Sequence, residues 1–164
     1  GSAGPEAVAL AASAGLVLLP WQELVLDVAL SEDGAGFCAS FEVGLVVPRQ
    51  NGKGGVLEAA ELYWLFLDDA VELVTHTAHR FDTSLEHFNR IRALVETTPD
   101  LMAELRRISD TNGKERIELK NGNGQIVTGD HGRGVDRELG GVPRLARAPL
   151  APLPLGGGAR RVPE

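Results

Sequence analysis

Apolar residues recur at helical spacing through most of the first hundred positions and then give way to alternation. PEAVALAASA, residues 5–14, predicts a short helix, with Pro5 in the first turn where its missing N–H is tolerated and Gly15 as the C-cap. Pro20 opens a second helix, PWQELVLDVAL, with Trp21, Leu24, Val25 and Val28 on one face. A polar loop at 31–36 ends it. Residues 41–47 carry Val43, Leu45, Val46 and Val47 and predict a strand. Residues 55–67 predict a helix that is apolar nearly all round, through Val56, Leu57, Leu62, Tyr63, Trp64, Leu65, Phe66 and Leu67. So little polar surface requires cover on most sides. Residues 71–75 predict another strand. Strand, helix and strand within about 35 residues make a βαβ unit, with parallel strands and a right-handed crossover.

Thr83 and Glu86 have the spacing of a capping box, and the helix they open runs to about 97. Its inner side takes Phe81, Leu85, Phe88, Leu94 and Val95, with His87, Arg90 and Arg92 outward. Pro99 starts a last helix, PDLMAELRRI. Asn-Gly pairs at 112–113 and 121–122, set between alternating apolar residues, predict a β-meander at about 106–128. Residues 131–164 hold 7 Gly and 5 Pro in 34 positions with no aromatic residue. That composition buries too little apolar surface to offset its ordering entropy, so a disordered tail is expected. The chain divides into N-terminal helices at 1–40, an α/β core at 41–130 and the tail at 131–164.

Length and charge narrow the class. The 164 residues suffice for one domain with a sizeable core. The formal charge of −7 gives no global nucleic-acid signature. It is unevenly spread, however: residues 1–130 carry 10 Lys+Arg against 20 Asp+Glu, and 131–164 carry 6 against 3. The single cysteine, Cys38, excludes an internal disulfide and suits a reducing compartment. No apolar stretch approaches the roughly 20 residues of a membrane span, and no basic signal start precedes the first helix, so a soluble intracellular protein without membrane contact is expected.

The chemistry concentrates at 48–54, PRQNGKG, between the strand at 41–47 and the helix at 55–67. Strand, Gly-Lys loop and helix are the context of a phosphate-binding loop. The helix N-terminus offers unpaired N–H groups and the positive end of its dipole, glycine lets the backbone close round an anion, and Lys53 reaches β- and γ-phosphates. The match to G-x-x-x-x-G-K-[ST] is incomplete, because Val47 and Gly54 stand where the first glycine and the hydroxyl belong. From these residues alone, an ordinary strand-to-helix turn with a solvated lysine remains open. His76, His79 and His87 invite a metal reading, but no cysteine accompanies them and they share no helical face. They are read as strand-end and surface histidines, with no metal site.

Four segments in order, AGLVLLPWQELVLDVAL, FEVGLVVPRQNGKGGVLEAAELYWLFL, LVTHTAHRFDTSLEHFNRIRALVE and ERIELKNG, resemble the large terminase subunit of tailed bacteriophages, the ATP-driven motor and nuclease of DNA packaging. The likeness covers roughly residues 4–130, and V-P-R-Q-N-G-K with P-W-Q upstream is its most specific part. It implies a partial P-loop NTPase of the RecA-like, additional-strand type, binding ATP and Mg²⁺. Lys53 would grip the β/γ-phosphates, and Gly52 and Gly54 would supply backbone contacts with Gln50 and Asn51 in the same loop. Arg49 would stabilise charge at the γ-phosphate as the catalytic group, and Gln22 would recognise adenine. A homo-oligomeric ring, the portal, the small terminase subunit and double-stranded DNA are the implied partners, in the cytoplasm of a bacterial host. Gly132, Arg133 and Gly134 resemble the family's Gly-Arg-Gly, but the apolar strand ending in Asp-Glu that should follow is missing, as is the nuclease part. A truncation or frameshift after about residue 130 is therefore expected, leaving an incomplete ATPase. The alternative is a non-catalytic remnant acting at most as an interaction domain. The helicase class, which shares an upstream glutamine, is disfavoured by Val47 and Gly54.

Overall fold

The structure is a computed structural model that describes residues 1–111, 114–122 and 125–130. It is mixed helix and strand. Helices α1 (Gly4–Ser13), α2 (Pro20–Ala29) and α3 (Lys53–Phe66) precede strand β1 (Val74–Ala78). Helices α4 (Phe81–Thr97) and α5 (Pro99–Glu104) then lead into β2 (Leu105–Thr111), β3 (Lys114–Leu119) and β4 (Gln125–Asp130).

The four strands form one sheet in the order β1-β4-β3-β2. The pair β1 and β4 is parallel, in register from Val74 opposite Ile126 to Ala78 opposite Asp130. The β4-β3 and β3-β2 pairs are antiparallel, which is the expected meander. Gly122, at φ +79°, turns the chain at the second Asn-Gly pair; the first pair, at 112–113, lies outside the described residues, as does the tail at 131–164.

Helix α3 sits between two apolar clusters. Toward the N-terminal helices it presents Val56, Ala59, Ala60 and Tyr63, packed with Ala3, Ala7, Ala11, Leu18, Leu26 and Leu30. Ala7 and Ala11 on α1, with Ala3 at its N-cap, allow close helix approach, and a Cβ at Gly4 would collide with the backbone of Asp27 on α2. Toward the sheet α3 presents Leu62 and Leu65, packed with Val74, Phe88, Ile91, Val95, Ile117 and Leu119. Cover on both sides is what its composition requires.

Several expectations need correction. Residues 41–47 form no strand; Phe41 and Val46 are fully exposed, and the parallel partner of β1 is β4. A β-branched run becomes a strand only where a neighbouring ladder takes up its N–H and C=O groups, and no described strand lies beside these residues. The expected βαβ unit is therefore not formed. The strand placed at 71–75 begins at Val74, because Asp68 holds a turn: its side chain accepts from Ala70 N at 3.1 Å and its carbonyl from Val71 N at 3.1 Å. On α2, Leu24 and Val28 are exposed while Gln22 and Leu26 are buried, so the inner face is rotated from the one predicted. The capping box does not form either. Arg80 is the N-cap of α4, and its carbonyl already accepts from Thr83 N and Ser84 N. His87, expected outward, is buried on the face shared with Ser84, Phe88, Ile91 and Val95. No helix among the described residues is long and apolar enough to cross a membrane.

Candidate functional site

The loop before α3 closes by two left-handed residues. Gln50 has φ 63° and Gly52 has φ 76°. For glutamine that region costs on the order of 1 kcal/mol, a strain of the kind found at ligand-binding turns. Gly52 is the N-cap of α3 and its carbonyl accepts from Gly55 N at 3.0 Å. The first turn holds Lys53, Gly54 and Gly55 and no acidic residue of its own, although the Glu58 carboxylate lies 3.4 Å from the Cβ position of Gly54. Arg49, Gln50, Asn51 and Lys53 are exposed, and Gly54 is half-buried.

Gln22 holds this loop from below. It lies in the first turn of α2 and is 5% exposed. Its Oε1 accepts from Leu19 N at 2.6 Å and its Nε2 donates to the carbonyl of Gly52 at 2.6 Å. One partner is an N–H and the other a C=O, which fixes the orientation of the amide. The glycines around it make the approach possible. A Cβ at Gly52 would lie 3.0 Å from Gln22 Nε2, and one at Gly55 would lie 3.2 Å from it. The structure thus joins Gln22 directly to the 50–55 loop, 30 residues away, whereas Arg49 and Asn51 extend from the turn into solvent.

Arg90 was read only as an outward side chain. It is exposed, yet its guanidinium comes within 3.8 Å of the position a Cβ on Gly54 would take. Its Nε lies 3.5 Å from Oε1 of the buried Glu58, an ion pair that makes no hydrogen bond. Glu58 Oε1 lies nearer still to that Cβ position, at 3.4 Å, and Arg90 also pairs with Glu86 at 3.8 Å, so the cation beside the loop is offset by two carboxylates. The signal for it was Glu58 itself, a carboxylate on a helix covered on both sides.

A separate constellation lies deeper on α3. The Glu61 carboxylate is shared by two histidines, Oε1 with His76 Nδ1 at 2.8 Å and Oε2 with His87 Nε2 at 3.0 Å. The imidazoles stack with centroids 3.8 Å apart and planes 9° from parallel. Burial alone raises the pKa of the Glu61 carboxyl, but the hydrogen bonds from His76 and His87 outweigh it and hold the group below the ordinary glutamate range. Glu61 is thus a buried carboxylate kept charged by its partners. The expectation of surface and strand-end histidines is corrected for His87 and His76; His79 is exposed.

Comparisons with protein-family models, with curated proteins and with solved structures find no match to this chain.

Proposed function

We propose that the chain is the ATP-binding N-terminal part of a viral DNA-packaging terminase, a partial P-loop NTPase of the RecA-like, additional-strand type. The observation that carries this reading is the Gln22 bridge to the Gly52 carbonyl. The resemblance assigns nucleotide contacts to Gln22 and to 49–54, and these two segments are directly bonded to each other. The left-handed turn, the acid-free first turn of α3 and the exposed Lys53 support the same reading, because an anion placed there meets amides, a helix dipole and an ammonium together.

The fit to phosphate is better than the fit to Mg²⁺. Position 54 is glycine and offers the ion no hydroxyl, and Glu58 faces Arg90. The proposal therefore concerns binding, with no hydrolytic step assigned to Arg49. A ring of copies, the portal, the small terminase subunit, double-stranded DNA and the cytoplasm of a bacterial host belong to the same proposal.

The test is titration of the purified chain with a fluorescent ATP analogue in the presence of Mg²⁺, with Lys53→Ala alongside. A charge-assisted contact is worth about 1.5–3 kcal/mol, so the variant should bind roughly 10- to 100-fold more weakly while remaining folded. Equal binding by the two proteins, or no binding by the folded wild-type chain, refutes the reading.

A further inference from the structure

We propose that Glu61, His76 and His87 form a binding site for a first-row divalent cation of the zinc class, held by two imidazole nitrogens and one carboxylate. The residues come from three elements, α3, β1 and α4, and the fold brings their donor atoms within 4.8 Å of one another. Two nitrogens and one oxygen suit Zn²⁺, Co²⁺ or Ni²⁺ and disfavour Mg²⁺ or Ca²⁺, which take oxygen donors. The site is enclosed: the side chains are 5% exposed at Glu61, 6% at His87 and 12% at His76.

The donor set favours a cation. Among the described residues, His76 and His87 each hydrogen-bond one oxygen of the buried Glu61 carboxylate. Placing a dication among them replaces two N–H···O hydrogen bonds by metal–ligand bonds and neutralises the buried carboxylate. The distances are close to those needed. Ligands at about 2.0–2.1 Å from a tetrahedral ion stand about 3.3 Å apart; here the two N···O separations are 2.8 and 3.0 Å, and all three donor atoms lie within 4.8 Å of one another. The stacking sets the required movement. Lone pairs in near-parallel planes cannot meet at one ion, so one ring must turn about its Cβ–Cγ bond. His76, the more exposed of the pair and carried by a strand, is the one with room.

The closed three-residue set also leaves at least one position on a four-coordinate ion for water. Because the site lies on the helix that begins with Lys53, the ion would clamp α3 to β1 and α4 beneath the phosphate loop. The inference rests on the cluster alone and not on nucleotide binding.

The experiment strips the full chain of metal with chelator, titrates it with Co²⁺ as a spectroscopic probe, and then displaces the probe with Zn²⁺. One equivalent of Co²⁺ should give visible absorption bands of low coordination number, abolished by Zn²⁺. His76→Ala should weaken binding by more than about 100-fold, beyond the range seen for residues that only support a ligand, whereas His79→Ala should leave it unchanged. Glu61→Gln serves as a second variant that preserves volume. X-ray absorption on the Zn²⁺-loaded wild-type chain, which needs no variant to fold, should report two imidazole ligands. Absence of stoichiometric binding by the folded chain, a metal environment without imidazole, or equal loss in His79→Ala overturns the proposal.

Discussion

Replacing Gln22 by glutamate changes one atom's chemistry at almost constant volume, and the two hydrogen bonds of this side chain respond in opposite ways. The bond from Leu19 N is retained, because a carboxylate oxygen accepts as well as an amide oxygen. The bond to Gly52 is lost, since the Nε2 donor becomes a second oxygen 2.6 Å from a carbonyl oxygen. A buried acceptor left without its donor costs about 1–3 kcal/mol, and more when the facing group is charged. At 5% exposure the new carboxylate is also poorly hydrated. Gln22→Glu should therefore lose about 2–4 kcal/mol of stability at pH 7 by urea denaturation. The loss should depend on pH in a stated direction. The protonated carboxyl can donate to Gly52, so folding raises its pKa above the unfolded value near 4.3. The penalty is then complete above the raised folded pKa and disappears as pH falls toward about 4. A Gln22→Glu chain as stable as wild type at pH 7, or a loss of stability that stays constant down to pH 4, contradicts the assigned bridge.

Three further outcomes follow from other parts of the structure. Gly52→Ala places a Cβ at φ +76° and 3.0 Å from Gln22 Nε2, so it should cost at least about 1–2 kcal/mol by denaturation; a neutral result would mean the turn is not left-handed at this residue. Phe88→Ala should cost about 3–5 kcal/mol, because Phe88 is fully buried among Leu62, Ile91 and Ile117; a urea midpoint shift corresponding to less than 1 kcal/mol would contradict that packing. Asp33 accepts from Phe37 N at 3.0 Å and Ala35 N at 2.8 Å, and these bonds hold its pKa below the usual aspartate value. As pH falls through that lowered pKa, the protection of the Ala35 and Phe37 amides relative to their intrinsic exchange rates should fall while the helices stay protected; unchanged protection would contradict these hydrogen bonds.

The parts of the fold that the sequence made legible are those set by local chemistry. Pro5, Pro20 and Pro99 lie at or beside helix starts, because a helix's first turn tolerates a missing N–H. Asn121 and Gly122 mark a turn of the meander because glycine takes positive φ freely. What failed depended on partners far along the chain. Residues 41–47 read as a strand from their composition, but composition says nothing about whether a ladder lies alongside. Leu24 and Val28 satisfied a helical period that faces solvent, while the buried face is set by Gln22 and Leu26 against α1 and α3.

The two glutamates of α3 were the missed clue. On a helix covered on both sides, Glu58 and Glu61 must meet partners, and they do so through Arg90 and through the two histidines. His87 stands four positions before Ile91 and eight before Val95, on their face of α4. That spacing placed it inward, and its polarity was mistaken for exposure. Gln22 and the 49–54 segment were singled out together on resemblance, and a direct hydrogen bond now links Gln22 to Gly52.

The most direct measurement of the nucleotide-loop claim is an amide NMR map of the full chain on addition of ATP with Mg²⁺, repeated with Lys53→Ala. The amides of Gly52, Lys53, Gly54 and Gly55 should move together with the side-chain amide of Gln22, saturably, and the variant should lose these shifts while its other peaks persist. Saturable shifts that leave this loop untouched, or a wild-type spectrum unchanged by ATP, would contradict it.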